Sequence, residues 1–302
     1  MRTVVALGGN ALAPGGEATI AAQRERIEET ADELRTLHEA GHDLVVTHGN
    51  GPQVGALLRQ QDESDAPERP LDVLVAETQA QIGYLLQRAL GERVDASVAS
   101  VVTQVAVDPE DPALDDPSKP VGPYLSAERA REREFETREV TTPEGETAHR
   151  RVVPSPEPTR VLEGERIETL AADGAPVVCA GGGGVPVVEG DGIEGVAAVV
   201  DKDHTTRLVA ERVGADALVM ATDVPCVYTA FGTPEESRLE DVTASELREH
   251  LESGEFEEGS MRPKVEACLR FLEAGGERAV VAGTDDVAAA VDGDAGTQIR
   301  PG

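Results

Sequence analysis

Short apolar runs, several of which end at glycine, recur along this chain and constrain its fold more than any other feature. Such runs occupy residues 3–7, 43–47, 97–107, 175–180, 195–200, 216–221 and 278–282. Runs that are apolar at nearly every position are typical of strands buried on both faces of a parallel sheet. Helical patterns lie between them, for example at 19–38 and 72–90. The alternation predicts an α/β fold, with a mainly parallel central sheet and helices on both faces.

One segment interrupts this alternation. Residues 109–160 are rich in proline and contain a highly charged stretch at 126–140, so they are too polar for a core and too long for a simple loop. We expect a small inserted subdomain over 117–160, protruding from the main sheet of a single domain that spans 1–302.

The charge balance excludes several classes of partner. The chain has 58 acidic and 27 basic residues, which gives a formal net charge of −31. Nucleic acid and anionic membranes both require a positive face, so neither is an expected partner. The acidic residues are spread over the whole chain, which is typical of a protein that stays hydrated in high salt. A GC-rich genome, which depletes lysine codons, is the alternative explanation, and both can hold.

The sequence also indicates the compartment. No apolar run approaches the ~20 residues of a membrane span, and the N-terminus resembles a short strand rather than a signal peptide. Cys179, Cys226 and Cys268 are far apart in apolar surroundings, without a CxxC motif. We expect buried free thiols and a cytoplasmic protein.

Three glycine-rich turns follow predicted strands and indicate phosphate chemistry. They are LGGNAL at 7–12, THGNGPQVG at 47–55 and CAGGGGVPV at 179–187. In open α/β sheets, turns at the carboxyl ends of strands form the ligand crevice, and glycine lets backbone N–H groups converge on an anion. The P-loop pattern GxxxxGK[ST] is absent from the sequence, which disfavours that class of nucleotide-binding fold.

Lysine is rare here, and its three positions are informative. Lys119 lies in DPSKPVGP, Lys202 in VVDKDHTT and Lys264 in GSMRPKVEA. We expect Lys202 to follow a strand and Lys264 to follow a helix start at Pro263, so both would lie where a phosphate can bind. Ammonium groups around a transferring phosphoryl group offset its charge, and Asp203 could keep them apart and orient them. The alternative is that three surface lysines survived by chance.

Taken together, the motifs resemble those of carbamate kinases. The blocks are ALGGNAL, HGNGPQVG, ETQAQIGYLLQ, PSKPVGPY, RRVVPSPEP, AGGGGVPV, VVDKDHT and GSMRPKVEA, in the order of that family and over nearly the whole chain. The glycine and PKV blocks recur throughout the amino acid kinase fold, of which these enzymes are members. The pair PSKPVGPY and RRVVPSPEP resembles the protruding subdomain peculiar to carbamate kinases and is therefore the specific signal.

The resemblance implies an activity. Carbamate kinases reversibly convert ATP and carbamate to ADP and carbamoyl phosphate, with Mg²⁺ bound through the nucleotide phosphates. In fermentative arginine degradation they run toward ATP, and they are homodimers. The resemblance also implies a three-layer sandwich with two lobes. Residues of about 1–215 would form the carbamate and phosphoryl side, and about 216–302 the nucleotide side.

The resemblance further assigns roles to matching residues. Gly8, Gly9 and Asn10 would cradle the transferring phosphoryl group, and Gly49, Asn50 and Gly51 would hold the carbamate end. Lys119 would close over carbamoyl phosphate from the subdomain. Lys202 and Lys264 would stabilise the phosphoryl group, with Asp203 organising them. Asp223, Tyr228 and Met261 would lie near the adenosine.

Ala230 departs from the family pattern, and the histidines add little to it. Ala230 stands where the family usually has asparagine, which puts details of the adenine contacts in doubt. The histidines show no metal-ligand spacing. His48 could touch substrate, although a structural hydrogen bond explains it equally well, and His204 is expected at a helix start.

Two other functions remain open at this point. The first is a kinase of the same fold that acts on a different carboxylate or phosphate acceptor, which the subdomain block and Lys119 disfavour. The second is a non-catalytic regulatory protein. Retention of Lys119, Lys202, Lys264 and Asp203 disfavours the second alternative.

Overall fold

A computed structural model describes residues 1–12, 19–65, 67–142, 145–256 and 260–302 of the chain. The strands are β1 (Arg2–Leu7), β2 (Asp43–His48), β3 (Ala99–Ser100), β4 (Gln104–Val107), β5 (Lys119–Leu125), β6 (Thr137–Thr141), β7 (Thr147–Val153), β8 (Pro158–Val161), β9 (Val177–Cys179), β10 (Val185–Glu189), β11 (Ile193–Gly195), β12 (Ala217–Thr222), β13 (Val227–Thr229), β14 (Ser237–Leu239), β15 (Asp241–Thr243), β16 (Arg278–Gly283) and β17 (Thr297–Arg300).

The α-helices lie between these strands. They are α1 (Gly9–Leu12), α2 (Ile20–Glu39), α3 (Gly51–Asp62), α4 (Leu71–Gly91), α5 (Ala127–Arg131), α6 (Gly164–Ala172), α7 (Lys202–Arg212), α8 (Ala244–Glu252), α9 (Met261–Glu273) and α10 (Val287–Asp292). Short 3₁₀ turns occupy Pro112–Leu114, Gly181–Gly183 and Thr284–Asp286.

The central sheet has eight strands in the order β15-β17-β16-β12-β1-β2-β9-β3. Each neighbouring pair is parallel except β16–β17. In the register of β1, Leu7 pairs with Ala221 of β12 and with His48 of β2, so the carboxyl ends of the three strands are level. This sheet confirms the predicted α/β class and places the turns after β1 and β2 side by side.

Both faces of the sheet are covered by helices. Alternate β1 residues belong to different apolar clusters: Val4 lies in a cluster with α6, α7 and α9, and Val5 lies in one with α2, α4 and α10. Strand side chains alternate between the two faces, and here both faces are apolar, which explains the near-continuous valine and alanine runs. The three-layer arrangement follows directly from this pattern.

The described residues also form three smaller sheets, the smallest of which is the antiparallel pair β13–β14. Strands β11, β10, β4 and β8 form a four-stranded sheet, and β5, β7 and β6 form a three-stranded antiparallel sheet with α5 in the connection between β5 and β6. The three-stranded sheet falls within 117–160, but β8, at the end of that range, pairs with β4 instead. Helix α3 packs against β5, which joins the three-stranded sheet to the main body.

Two predicted strands are wrong in detail. Residues 97–107 contain two strands in different sheets, β3 beside β9 and β4 beside β10, rather than one. Residues 196–200 are not a strand, since β11 ends at Gly195 and the chain then runs without strand pairing to α7. Ala198 and Val200 are buried nevertheless. Apolar composition here reflects packing of an irregular segment, which periodicity cannot distinguish from a short strand.

The three thiols are free and buried, as predicted. Burial raises the pKa of Cys179 to about 12, so this thiol is not a reactive thiolate. Within the described residues, no helix combines the length and the apolar character that crossing a bilayer requires.

Candidate active site

Three glycine turns meet at the carboxyl edge of the central sheet. A Cβ placed on Gly49 would lie 2.6 Å from the Gly9 nitrogen, so the turns after β1 and β2 touch backbone to backbone. A Cβ on Gly182, in the turn after β9, would lie 2.1 Å from Oδ1 of Asn50. Glycine is required at these contacts because any side chain would separate the turns. The three turns therefore lie in direct contact at this edge of the sheet.

The first two turns each lead into a helix. Gly8 donates its N–H to the carbonyl of Ala221 at 3.1 Å, and Gly9 begins α1. Asn50 is the N-cap residue of α3, which begins at Gly51. The structure describes the backbone of Asn10 in α1, but the side chain of Asn10 lies outside the described part.

Asn50 is held from two sides. Its Nδ2 donates to Thr78 Oγ1 of α4 at 2.9 Å, and Gly182 packs against the other side of its amide. The α3 N-terminus thus has a fixed amide beside it. The first backbone N–H groups of any helix have no partner within the helix, which makes a helix N-terminus a common place for an anion.

A buried carboxylate links two of the three lysines. Asp203 lies in the first turn of α7 and is 3 % exposed. Its Oδ1 accepts a hydrogen bond from Lys202 Nζ at 2.5 Å, and its Oδ2 accepts one from Lys264 Nζ at 3.1 Å. The side chains of Lys202 and Lys264 are only 12 % and 13 % exposed. The structure therefore places Asp203 within hydrogen-bond distance of both Lys202 and Lys264.

The charges of this cluster shift its pKa values. Burial would raise the pKa of the Asp203 carboxyl, but the charges of Lys202 and Lys264 and their hydrogen bonds outweigh it and hold that pKa below its usual range. For Lys202, burial together with repulsion from Lys264 lowers the pKa despite the attraction of Asp203. For Lys264, burial is outweighed by Asp203, and the pKa is raised. Two cations around one carboxylate leave the cluster with a net positive charge that suits an anionic ligand.

The third lysine is held by a different aspartate. Lys119, the first residue of β5, donates to Asp201 Oδ2 at 3.0 Å and is 37 % exposed. Asp201 is also the N-cap of α7, where its Oδ1 accepts the backbone N–H of Asp203 at 3.0 Å. Asp201 thus connects Lys119 to the buried cluster.

Asp201 was not among the residues predicted for the site. An aspartate directly before a helix is a recognisable N-cap, and that signal could have identified it. The helix starts also differ from those expected. Lys202 begins α7 after an irregular segment rather than after a strand, and α9 begins at Met261, two residues before Pro263.

The expected nucleotide-side residues lie at three places, namely the end of β12, β13 and the start of α9. Asp223 directly follows β12, and the charge of Asp223 contributes to raising the pKa of Lys264, after the larger effects of burial and Asp203. Met261 begins the helix that carries Lys264. Tyr228 lies in β13, and its ring centroid is 5.7 Å from that of Phe231.

Ala230 has a backbone conformation that alanine rarely adopts. Its φ is +47°, and its N–H donates to Glu255 Oε1. The left-handed region costs a residue with a Cβ about 1–2 kcal/mol, and asparagine tolerates it better than alanine does. This explains why an asparagine would suit the position and shows that the backbone turn is kept without one.

The two histidines near the site differ in character. His48 is buried and its Nδ1 lies 3.0 Å from the Gly49 carbonyl oxygen. Burial lowers the pKa of His48 to about 4, so the ring is neutral and fits the structural role. His204 lies in the first turn of α7, as expected, with Nδ1 3.1 Å from Glu157 Oε2. Burial opposes a charge on His204, but the hydrogen bond to Glu157 outweighs it, and the pKa of His204 is raised.

A cavity of about 280 Å³ adjoins Lys119 and Asp201. It lies between the ends of the 117–160 segment and the first turns of α7 and α9, and His204 and Glu266 also line it. Within the described ranges, no group of three or more His, Cys, Asp or Glu residues could hold a metal ion.

Comparisons with known proteins define the class of this protein. The model of the amino acid kinase family matches residues 1–283. More distant structures share the fold alone, among them UMP kinase from Bacillus anthracis, at 14 % identity and a TM-score of 0.59 over 99 % of this chain and 95 % of that one.

Full-length relatives narrow the class. Carbamate kinase from Halobacterium salinarum is 52 % identical over 99 % of this chain and 98 % of its own, and that from Pyrococcus furiosus is 41 % identical over 99 % of each. The structure of carbamate kinase from Giardia lamblia bound to AMP-PNP covers 100 % of this chain and 98 % of its own, at 35 % identity and a TM-score of 0.91. The chain belongs to the amino acid kinase family and, within it, to the carbamate kinases.

Proposed function

We propose that this protein is a phosphotransferase that reversibly moves a phosphoryl group between ATP and carbamate, giving ADP and carbamoyl phosphate. The observation that carries the proposal is the buried cluster of Lys202, Asp203 and Lys264 at the glycine turns. It supplies positive charge at the place where a phosphate would bind. The full-length similarity to carbamate kinases supports the choice of acceptor.

The chemistry needs positioning and charge rather than a general base. Carbamate is already an anion, and its oxygen attacks the γ-phosphorus in line with the departing β-phosphate oxygen. Lys202 and Lys264 would stabilise the charge on the transferring phosphoryl oxygens, since both ammonium groups are largely withdrawn from water. Asp203 would fix the two lysines through its two oxygens, which keeps their Nζ atoms in place before the substrate binds.

The glycine turns would hold the reacting groups. We assign the transferring phosphoryl group to Gly8, Gly9 and Asn10, and the carbamate end to Gly49, Asn50 and Gly51. Lys119 would exchange Asp201 for the carbamoyl phosphate when the substrate binds. This exchange is supported by the partial exposure of Lys119, whose one ion pair among the residues that the structure describes is that with Asp201.

The nucleotide would bind on the side of residues 216–302, with Asp223, Tyr228 and Met261 near the adenosine. Mg²⁺ would arrive as part of the nucleotide substrate, because Mg²⁺ in kinases is held mainly by phosphates and water. The AMP-PNP complex of the Giardia lamblia relative supports a nucleotide site on this fold. Residues of about 1–215 would form the other lobe, with 117–160 as a closing insert.

The physiological setting is part of the proposal. We expect the ATP-forming direction in fermentative arginine degradation, in the cytoplasm, by a homodimer. The net charge of −31 and the 52 % identity to a Halobacterium salinarum enzyme support function in high salt.

A coupled assay tests this function. Purified protein is given ADP, Mg²⁺ and carbamoyl phosphate, and ATP is followed with hexokinase and glucose-6-phosphate dehydrogenase at low and at molar KCl. We expect Mg²⁺-dependent ATP formation. Efficient phosphorylation of acetylglutamate or UMP, with carbamoyl phosphate ignored, would instead assign the protein to another acceptor within the same fold.

A further inference from the structure

One buried side chain near the site, that of Gln53, has no hydrogen-bond partner among the described residues. Gln53 is 2 % exposed, and neither Nε2 nor Oε1 of its amide has a hydrogen-bond partner in the part of the chain that the structure describes. A buried amide without partners destabilises a fold, because the amide loses its bonds to water and gains none in return. Such a group in a folded protein calls for an explanation, and a ligand is one.

A second buried glutamine shows what a structural amide looks like in this protein. Gln79 of α4 is 3 % exposed. Its Nε2 donates to the Thr103 carbonyl at 3.0 Å, and its Oε1 accepts the Thr103 N–H at 3.0 Å. Gln79 therefore joins α4 to the chain before β4, whereas the amide of Gln53 makes no hydrogen bond within the described ranges.

The position of Gln53 connects it to the site. It is the third residue of α3, in the same helical turn as Gly51 and Pro52. A Cβ on Gly9 would lie 3.5 Å from Cδ of Pro52, so this turn packs directly on the phosphoryl turn after β1. A glutamine at the third position of a helix is long enough to reach back to the N-terminus.

We infer that Gln53 recognises the amino group of carbamate and so selects carbamate over carboxylates that lack it. The inference rests on the proposed function. Oε1 accepts an N–H of the substrate amino group, and Nε2 donates to the adjacent substrate oxygen, so the two ends of one amide bind the two ends of one N–C–O unit. Both vacant hydrogen-bonding positions of Gln53 are then used.

This pairing distinguishes carbamate from acetate. The methyl group of acetate or acetyl phosphate would face Oε1 and leave this buried acceptor without a bond. Sites that bind a substrate N–H with a buried polar group reject analogues without it much more strongly than apolar pockets reject a change of size. The helix N-terminus and the lysines attract any anion, whereas Gln53 favours an acceptor that carries an amino group.

The test compares two phosphoryl donors in the ATP-forming direction. kcat/KM is measured with carbamoyl phosphate and with acetyl phosphate for the wild type, Gln53→Met and the matched control Gln79→Met. Methionine keeps the length and volume of glutamine but cannot make these hydrogen bonds. For Gln53→Met we expect kcat/KM for carbamoyl phosphate to fall on the order of 100-fold, with an unchanged KM for ADP and less than about a threefold change with acetyl phosphate.

Stability supplies the second measurement. Gln53→Met should melt at or above the wild-type temperature, because it removes an unpaired buried amide. Gln79→Met should melt lower, with the ratio of the two donors preserved. If no variant uses acetyl phosphate, the test rests on carbamoyl phosphate alone. A fall in kcat/KM for Gln53→Met that Gln79→Met does not share, at unchanged KM for ADP, then supports the inference.

Two results would overturn the inference: an unchanged preference between donors in Gln53→Met, or equal losses with both donors accompanied by a lower melting temperature. Either would make Gln53 a packing residue. Failure of the wild type to use carbamoyl phosphate would instead contradict the proposed function and would be seen first.

Discussion

Replacing Asp203 by asparagine should separate its electrostatic role from its shape. The change keeps the size of the side chain and removes the negative charge that two nearly buried ammonium groups share. Breaking a buried ion pair by removing one partner costs about 3–5 kcal/mol, because the other charge stays buried without compensation. At about 2 °C per kcal/mol for a domain of this size, the melting temperature should fall by about 6–10 °C.

The pH dependence of this variant has a definite sign. The pKa of Lys202 is already lowered in the folded protein, and without Asp203 the pKa should fall further below its unfolded value. The unfolded chain then binds more protons than the folded one, so the stability of the variant should rise with pH toward the unfolded pKa of lysine, about 10.4. Raising the pH from 7 to 9.5 should therefore narrow the gap in melting temperature between the variant and the wild type.

The assay pairs turnover with thermal melting in high salt, and an exposed aspartate supplies the control. Asp241 forms a 3.0 Å ion pair with Arg300, and both side chains are exposed, so Asp241→Asn should cost at most about 1 kcal/mol and leave turnover unchanged. Turnover of Asp203→Asn should fall on the order of 100-fold or more. An Asp203→Asn protein that melts within about 1 °C of the wild type and keeps a third of its turnover would refute the reasoning.

Three further predictions concern neighbouring parts of the site. Lys202→Arg or Lys264→Arg should lower turnover by on the order of 100-fold, since the planar guanidinium is wider than an ammonium. The free energy of unfolding should also drop by about 1–3 kcal/mol, because the larger side chain overpacks an enclosed position. Near-normal turnover and melting would contradict this prediction. Hydrogen exchange across 117–160 should slow when nucleotide and carbamoyl phosphate are added, and unchanged protection would argue against closure. Glu157→Gln should lower the melting temperature most between about pH 4.5 and 6.5. The hydrogen bond to His204 lowers the pKa of Glu157 to about 2, so the stabilisation by Glu157 is lost on acidification, whereas the stabilisation from the raised pKa of His204 is lost as the pH rises through that pKa. Thermal melting at pH 5.5 and 8.5 measures this, and equal losses at both pH values would disprove it.

The central sheet was predictable because its strands are buried on both faces. Val4 and Val5 of β1 point to opposite apolar layers, so the residue pattern carries the layer structure directly. The strand predicted over 196–200 was wrong because the same apolar pattern also occurs where an irregular connection is buried. The pairing of β4 with β10 and β8 depends on contacts far apart in sequence, which no local pattern encodes.

The residues of the candidate site were predictable where a rare residue type or a sequence motif marked them. The rarity of lysine pointed to Lys119, Lys202 and Lys264, and the tripeptide DKD placed Asp203 beside Lys202. Asp201, the partner of Lys119, needed the fold, because the two residues lie 82 positions apart along the chain. Gln53 had no sequence signal, since its relevance lies in the hydrogen bonds that it does not make.

The scarcity of lysine also confines amine chemistry to one place. Apart from the α-amino group of Met1, the primary amines of this protein are those of Lys119, Lys202 and Lys264. Reductive methylation with ¹³C-formaldehyde would therefore label side chains only at the site, and their carbon resonances would report directly on Asp201 and Asp203 as partners. Amine-directed reagents should modify the more exposed Lys119 first. Such reagents label many surface sites in most proteins, whereas in this one their side-chain signals come from the candidate site alone.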